Sequence, residues 1–230
     1  MTDPEIVTVP EPQLGAALAE RVAADLRTAL AARGRARLAV PGGTTPGPFL
    51  EALGQAALDW ENCAITLTDE RWVPVSDPRS NQGLLASTLF RGPAAGAEFV
   101  PLYGATADPA DSLSAIGTAL TQIALPLDVM VAGMGADMHT ASLFPGGVGL
   151  AAALAPDSPP VAAITAPGAD EPRITLTAPV LQGARNRYLL IKGAEKRAAL
   201  ESALAAADTE KAPVRVLLDA PGGVTVFHCP

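Results

Sequence analysis

Apolar positions along the chain come in short blocks set apart by glycine- and proline-rich turns, and two spacings recur. Leu14, Leu18, Val22, Leu26 and Leu30 repeat at the step of an amphipathic helix, which Gly34 closes. Compact apolar runs at 37–40, 127–132 and 188–191 are too short for buried helices and predict strands covered on both faces. Alternating polar and apolar residues at 63–69 and 173–177 predict strands with one buried face. Further strands are expected at 5–9, near 99–102, at 161–165 and at 214–218, with 222–227 closing the chain. Helices are expected after Pro46, from 81 through Leu89 with Ser80 as N-cap, and at 110–123, 148–154 and 197–207. This alternation predicts an α/β fold, a mostly parallel sheet with helices on both faces, in a single domain over 1–230.

Composition narrows the function. Hydrophobic residues make up 49% of the chain and charged residues 17%, which opposes intrinsic disorder, and the apolar runs are too short to span a membrane. The N-terminal stretch has neither a basic region nor an apolar core of a secretory signal. Cys63 and Cys229 match no redox or zinc spacing and read as a core thiol and a tail residue in a reducing cytoplasm, the expected compartment. A net charge of −8 opposes nucleic-acid binding, while an anionic small molecule stays compatible if some of the sixteen Lys and Arg converge in a cleft.

The candidate chemistry gathers where apolar runs end. The run 127–132 empties into Gly133-Met134-Gly135, and Asp137, Met138 and His139 follow at once. Ligands of open α/β sheets sit beyond the carboxyl ends of the strands. An imidazole there can move protons near neutrality, with a carboxylate two residues away to fix its tautomer. A histidine in a glycine-rich turn can also be merely exposed. The chain has only two, however, and shows no HExxH, CxxC or clustered His that would favour zinc. At 41–46, Pro-Gly-Gly-Thr-Thr-Pro lies between a strand and a helix start and can act as an anion cradle or simply as a tight turn. Asp69, Glu70 and Arg71 put charge at a second strand end, and Lys196 sits in the first turn of a helix, against the dipole preference and consistent with a nearby anion.

Taken together, PGGTTP at 41–46, TDERWVP at 68–74 with SN at 80–81, GMGADMHTASLFPG at 133–146, RITLT at 173–177 and GAEK at 193–196 resemble the 6-phosphogluconolactonase family. That family lies within a wider group holding glucosamine-6-phosphate deaminases and ribose-5-phosphate isomerase-like folds. The resemblance spans nearly the whole chain, and 133–146 is its most specific part. It implies a Rossmann-like sheet and metal-free, cofactor-free hydrolysis of a phosphosugar lactone, 6-phospho-D-glucono-1,5-lactone, by an enzyme expected to be a monomer. It further implies that His139 activates water, that Asp137 sits beside it, that Gly42, Gly43, Thr44, Arg173 and Lys196 hold the phosphate, and that Arg71 faces the sugar or the carbonyl. The deaminases carry an acidic residue shortly after the motif histidine, and 140–146 has none. A non-catalytic sugar-phosphate sensor would need no general base. One departure stands out: the family usually has glycine where this chain has Met138. Either the loop does not need a left-handed backbone there, or it is reshaped.

Overall fold

A computed structural model describes residues 3–167, 169 and 171–230. The chain opens with strand β1 (Glu5–Thr8) and helix α1 (Glu11–Arg33), which ends at Gly34. Next come β2 (Ala36–Val40), α2 (Gly47–Gly54), β3 (Cys63–Leu67), β4 (Asp69–Arg71), α3 (Asn81–Ser87), β5 (Glu98–Val100) and α4 (Leu113–Gln122). The second half runs β6 (Val129–Gly133), α5 (Leu150–Leu154), β7 (Val161–Ile164), β8 (Arg173–Leu176), α6 (Ala178–Gly183), β9 (Asn186–Lys192), α7 (Ala194–Ala205), α8 (Arg215–Leu218) and β10 (Thr225–Cys229).

Seven strands form a wholly parallel sheet in the order β1-β10-β9-β6-β2-β3-β5. Its inner strands are buried almost without interruption, because helices cover both faces of the sheet, as the continuous apolar runs predict. This is the expected Rossmann-like α/β arrangement. Leu18, Leu26, Leu38, Leu50, Ile65 and Leu67 are among the fully buried side chains of its core. No helix among the described residues is long and apolar enough to cross a membrane.

Four differences from the sequence-based expectation stand out. The alternating run 63–69 is not one strand. It is β3 followed by β4, which leaves the parallel sheet for a three-stranded antiparallel one, β4-β8-β7. Thr68 is the joint: its N–H donates to Val40 O (2.9 Å) across the first sheet, and its carbonyl accepts from Leu176 N (2.9 Å) in the second. The stretch 214–218, expected as a strand, is mostly the short helix α8. Its β-branched residues favour a strand locally, but the buried Arg215 donates to Ala203 O (3.0 Å) at the end of α7 and makes a bidentate pair with Asp219 one turn on (3.0 and 2.9 Å). Tertiary pairing of this kind overrides β-propensity. The closing strand is β10, two residues beyond the expected end, and the turn of helix at α6 was not expected at all.

Candidate active site

The carboxyl ends of β2, β6 and β9 border a cleft of about 280 Å³. Gly42, Gly43, Thr44, Arg71, His139, Arg173 and Lys196 all line it. Seven of the eight residues to which the resemblance assigns a role therefore meet in one place, drawn from both sheets, and the eighth, Asp137, reaches it through His139.

His139 and Asp137 form a pair at the mouth of the loop after β6. The imidazole Nδ1 lies 2.6 Å from Asp137 Oδ1, and the same oxygen accepts from the His139 N–H at 3.3 Å. The hydrogen bond with His139 holds the Asp137 carboxyl below the ordinary carboxylate range, against a smaller opposing effect of burial. Gly135 makes this approach possible: a Cβ there would lie 2.1 Å from His139 Nδ1 and 2.2 Å from Asp137 Oδ1. Met138 does adopt the left-handed backbone, with φ of 66°. The loop keeps the conformation that glycine would take more easily. Its neighbours enforce this, since Met138 N donates to Gly135 O (3.0 Å) and Met138 O accepts from Val214 N (3.0 Å) while the side chain packs on the core.

Two guanidiniums also line the cleft. Arg71 and Arg173 are direct register partners in the antiparallel pair β4·β8, an arrangement that sets like charges side by side. The Nε of each is buried and has no hydrogen-bond partner among the described residues. Burial, and secondarily the nearby Arg71, pushes the Arg173 guanidinium below its usual range. Arg71 donates an Nη1–H to Arg79 O, and Arg173 lies 3.9 Å from Glu171. Two half-buried cations side by side, each with a buried N–H that has no partner among the described residues, are a candidate site for an anion.

The two carboxylates beside Arg71 do different work. Glu70 is fully buried and accepts from the backbone N–H of Arg71 (2.7 Å), Asn81 (2.8 Å) and Gln82 (2.7 Å) and from Ser80 Oγ (3.2 Å), so it fastens the start of α3. Burial pushes its carboxyl up while those N–H groups pull it down, leaving it above the usual range. Asp69 lines the cleft and takes both Ser142 Oγ (2.6 Å) and Thr68 Oγ1 (3.0 Å), which ties the histidine loop to β4.

Residues 10–227 match the family described as glucosamine-6-phosphate isomerases/6-phosphogluconolactonase. The chain belongs to that family. It is 47% identical over 207 residues to the 6-phosphogluconolactonase of Rhizobium meliloti (strain 1021), covering 89% of each chain. Among solved structures, a 6-phosphogluconolactonase from Shewanella baltica OS155 superposes with a TM-score of 0.96 at 31% identity, over 100% of this chain and 99% of that one. A monomeric glucosamine-6-phosphate deaminase superposes at 0.80 with 16% identity, over 98% and 97%, a likeness of fold alone.

Within this family fold, some cleft residues had no role proposed from sequence. Asn81, 2% exposed, lines the cleft with its amide against Gly42: a Cβ on Gly42 would sit 1.8 Å from Asn81 Oδ1. The Asn81 Nδ2 donates to Asp69 O (2.8 Å), so the amide braces the glycine loop against β4. Lys192 also lines the cleft and pairs with Glu11. A charge closing the apolar run 188–191 was its signal, the same one that marks 69–71. Among the described residues, no group of three or more His, Cys, Asp or Glu is placed to hold a metal ion.

Proposed function

We propose that the chain is a 6-phosphogluconolactonase that hydrolyses 6-phospho-D-glucono-1,5-lactone by general-base attack of water. The observation that carries this reading is the pairing, in one cleft, of a carboxylate-held imidazole with two half-buried guanidiniums whose buried Nε–H groups have no partner among the described residues. Asp137 accepts from the Nδ1–H, which leaves the Nε2 lone pair to receive a proton. The glycine loop Gly42-Gly43-Thr44, Arg173 and Lys196 anchor the substrate phosphate and convert the reaction at C1 into an oriented one. His139 takes a proton from water as its oxygen bonds to the lactone carbonyl carbon. The tetrahedral oxyanion leans on Arg71, and collapse breaks the C1–ring oxygen bond as the imidazolium returns the proton to that oxygen. All atoms come from lactone and water, and no organic cofactor or metal enters.

Proton transfer on carbon, the chemistry of an isomerase or deaminase, would call for a carboxylate with freedom to act. Glu70 is spent on the start of α3, and both Asp69 oxygens are engaged. The test is acid release from lactone generated in situ, with chelator present, against the spontaneous rate. Strong acceleration is expected, with His139→Ala lowering kcat by about a thousandfold and KM little changed. Asp137→Asn, whose amide would donate to Nδ1 and force the proton onto Nε2, should lower kcat by a comparable order. A folded protein that does not accelerate hydrolysis, or a His139→Ala variant with full turnover, would sink the proposal.

A further inference from the structure

The loop from His139 to Gly147 turns back on itself twice. Leu143 N donates to Thr140 O (3.0 Å) and Gly147 N donates to Phe144 O (2.9 Å), and between these turns the Phe144 side chain returns to the imidazole five residues before it. Its ring centroid lies 4.3 Å from that of His139 at a 37° tilt. The Arg173 Cζ sits over the same ring, 5.3 Å from its centroid. One half-buried phenyl group thus touches two functional side chains carried by different sheets, and it stands behind them rather than in the cleft.

We propose that Phe144 is a positioning residue that couples the His139 base to the Arg173 cation, fixing the imidazole plane and the guanidinium position through one ring. The inference rests on the functional reading above. A single hydrogen bond to Asp137 leaves the imidazole free to tilt, and the phenyl face removes that freedom. Among the described residues, Arg173 has a buried Nε without a partner and a carboxylate no nearer than 3.9 Å, and packing and attraction to the ring help set its place. Ring and imidazole are fixed in turn by the Ser142–Asp69 bond, which pins the first of the two turns to β4.

The test compares Phe144→Leu, Phe144→Met and Phe144→Tyr, alone and with Arg173→Gln. Leu and Met keep apolar bulk without a ring, and either suffices if the other folds poorly. The chain has only two histidines, so proton NMR can follow His139 against the buried His228 as an internal reference. Loss of the ring should move the His139 signals and leave those of His228 in place. Inorganic phosphate should bind about fivefold more weakly and kcat should fall about tenfold. Phe144→Tyr should restore all three, and in the Arg173→Gln background loss of the ring should cost no further phosphate affinity. Unmoved His139 signals, or a phosphate penalty of equal size without Arg173, would overturn the proposal. If the wild-type protein fails to hydrolyse the lactone, the functional reading falls, while the NMR and phosphate measurements still decide the role of Phe144.

Discussion

The two ends of the parallel sheet use arginine in opposite ways. At the amino ends of the strands, Asp128 is 1% exposed and lies 2.6 Å from Arg33, 3.4 Å from Arg37 and 3.5 Å from Arg185, while accepting the Arg37 N–H at 2.9 Å. Nearby, the buried Arg187 donates to the carbonyls of Gly223 (2.8 Å), Gln182 (2.9 Å), Ala184 and Pro221. These guanidiniums hold α1, β2, β6, β9 and the turn before β10 together. At the carboxyl ends, Arg71 and Arg173 are half-buried side by side, yet each has a buried Nε–H without a partner among the described residues. A buried cation satisfied on every side is structure. One left partly unsatisfied beside a like charge is a candidate site for an anion.

That contrast can be broken by exchanging what is measured. Asp128→Ala, at the satisfied end, leaves three arginines around a missing carboxylate and should cost about 3 kcal/mol of folding stability with KM unchanged. Denaturant unfolding and steady-state kinetics together check this, and a raised KM would mean that the two ends are not separable. Arg173→Gln, at the unsatisfied end, should do the reverse. KM should rise about thirtyfold, near 2 kcal/mol of lost binding, while stability stays within about 0.5 kcal/mol because the repulsion from Arg71 is relieved. A large loss of stability in Arg173→Gln would show that the cation is structural after all.

Much of this was legible in the sequence, for physical reasons that differ by region. Runs such as 127–132 and 188–191 declared buried parallel strands, and glycines after them declared the cleft edge, because only strand ends of a covered sheet combine those features. The conversion of 214–218 into α8 was hidden because it depends on Arg215 meeting carbonyls at the end of α7 and the Asp219 carboxylate. The register that brings Arg71 against Arg173, 102 residues apart in number, was equally out of reach, since the departure of the chain into a second sheet at Thr68 has no local signature. Phe144 was visible within the motif, but the fold-back that brings it against His139 and Arg173 is not revealed by spacing alone.

The smallest effect concerns the strain held on the cleft side. Met138 carries a left-handed backbone at about 1–2 kcal/mol, offset by packing of its side chain on the core and by the Val214 N–H on its carbonyl. Replacing it by glycine removes the strain but also the packing, and it adds about 0.5–1 kcal/mol of unfolded-chain entropy. These contributions nearly cancel, so Met138→Gly should stay within about 1 kcal/mol of the parent. Met138→Ala loses the packing and keeps the strain. It should therefore be less stable than Met138→Gly by about 1 kcal/mol, the reverse of the usual order of alanine and glycine. Urea unfolding of the two variants side by side decides the matter, because the packing loss is common to both and the difference isolates the backbone. An alanine variant more stable than the glycine one would mean that the loop relaxes out of the left-handed region, and kcat should then fall as His139 leaves its place beside Asp137.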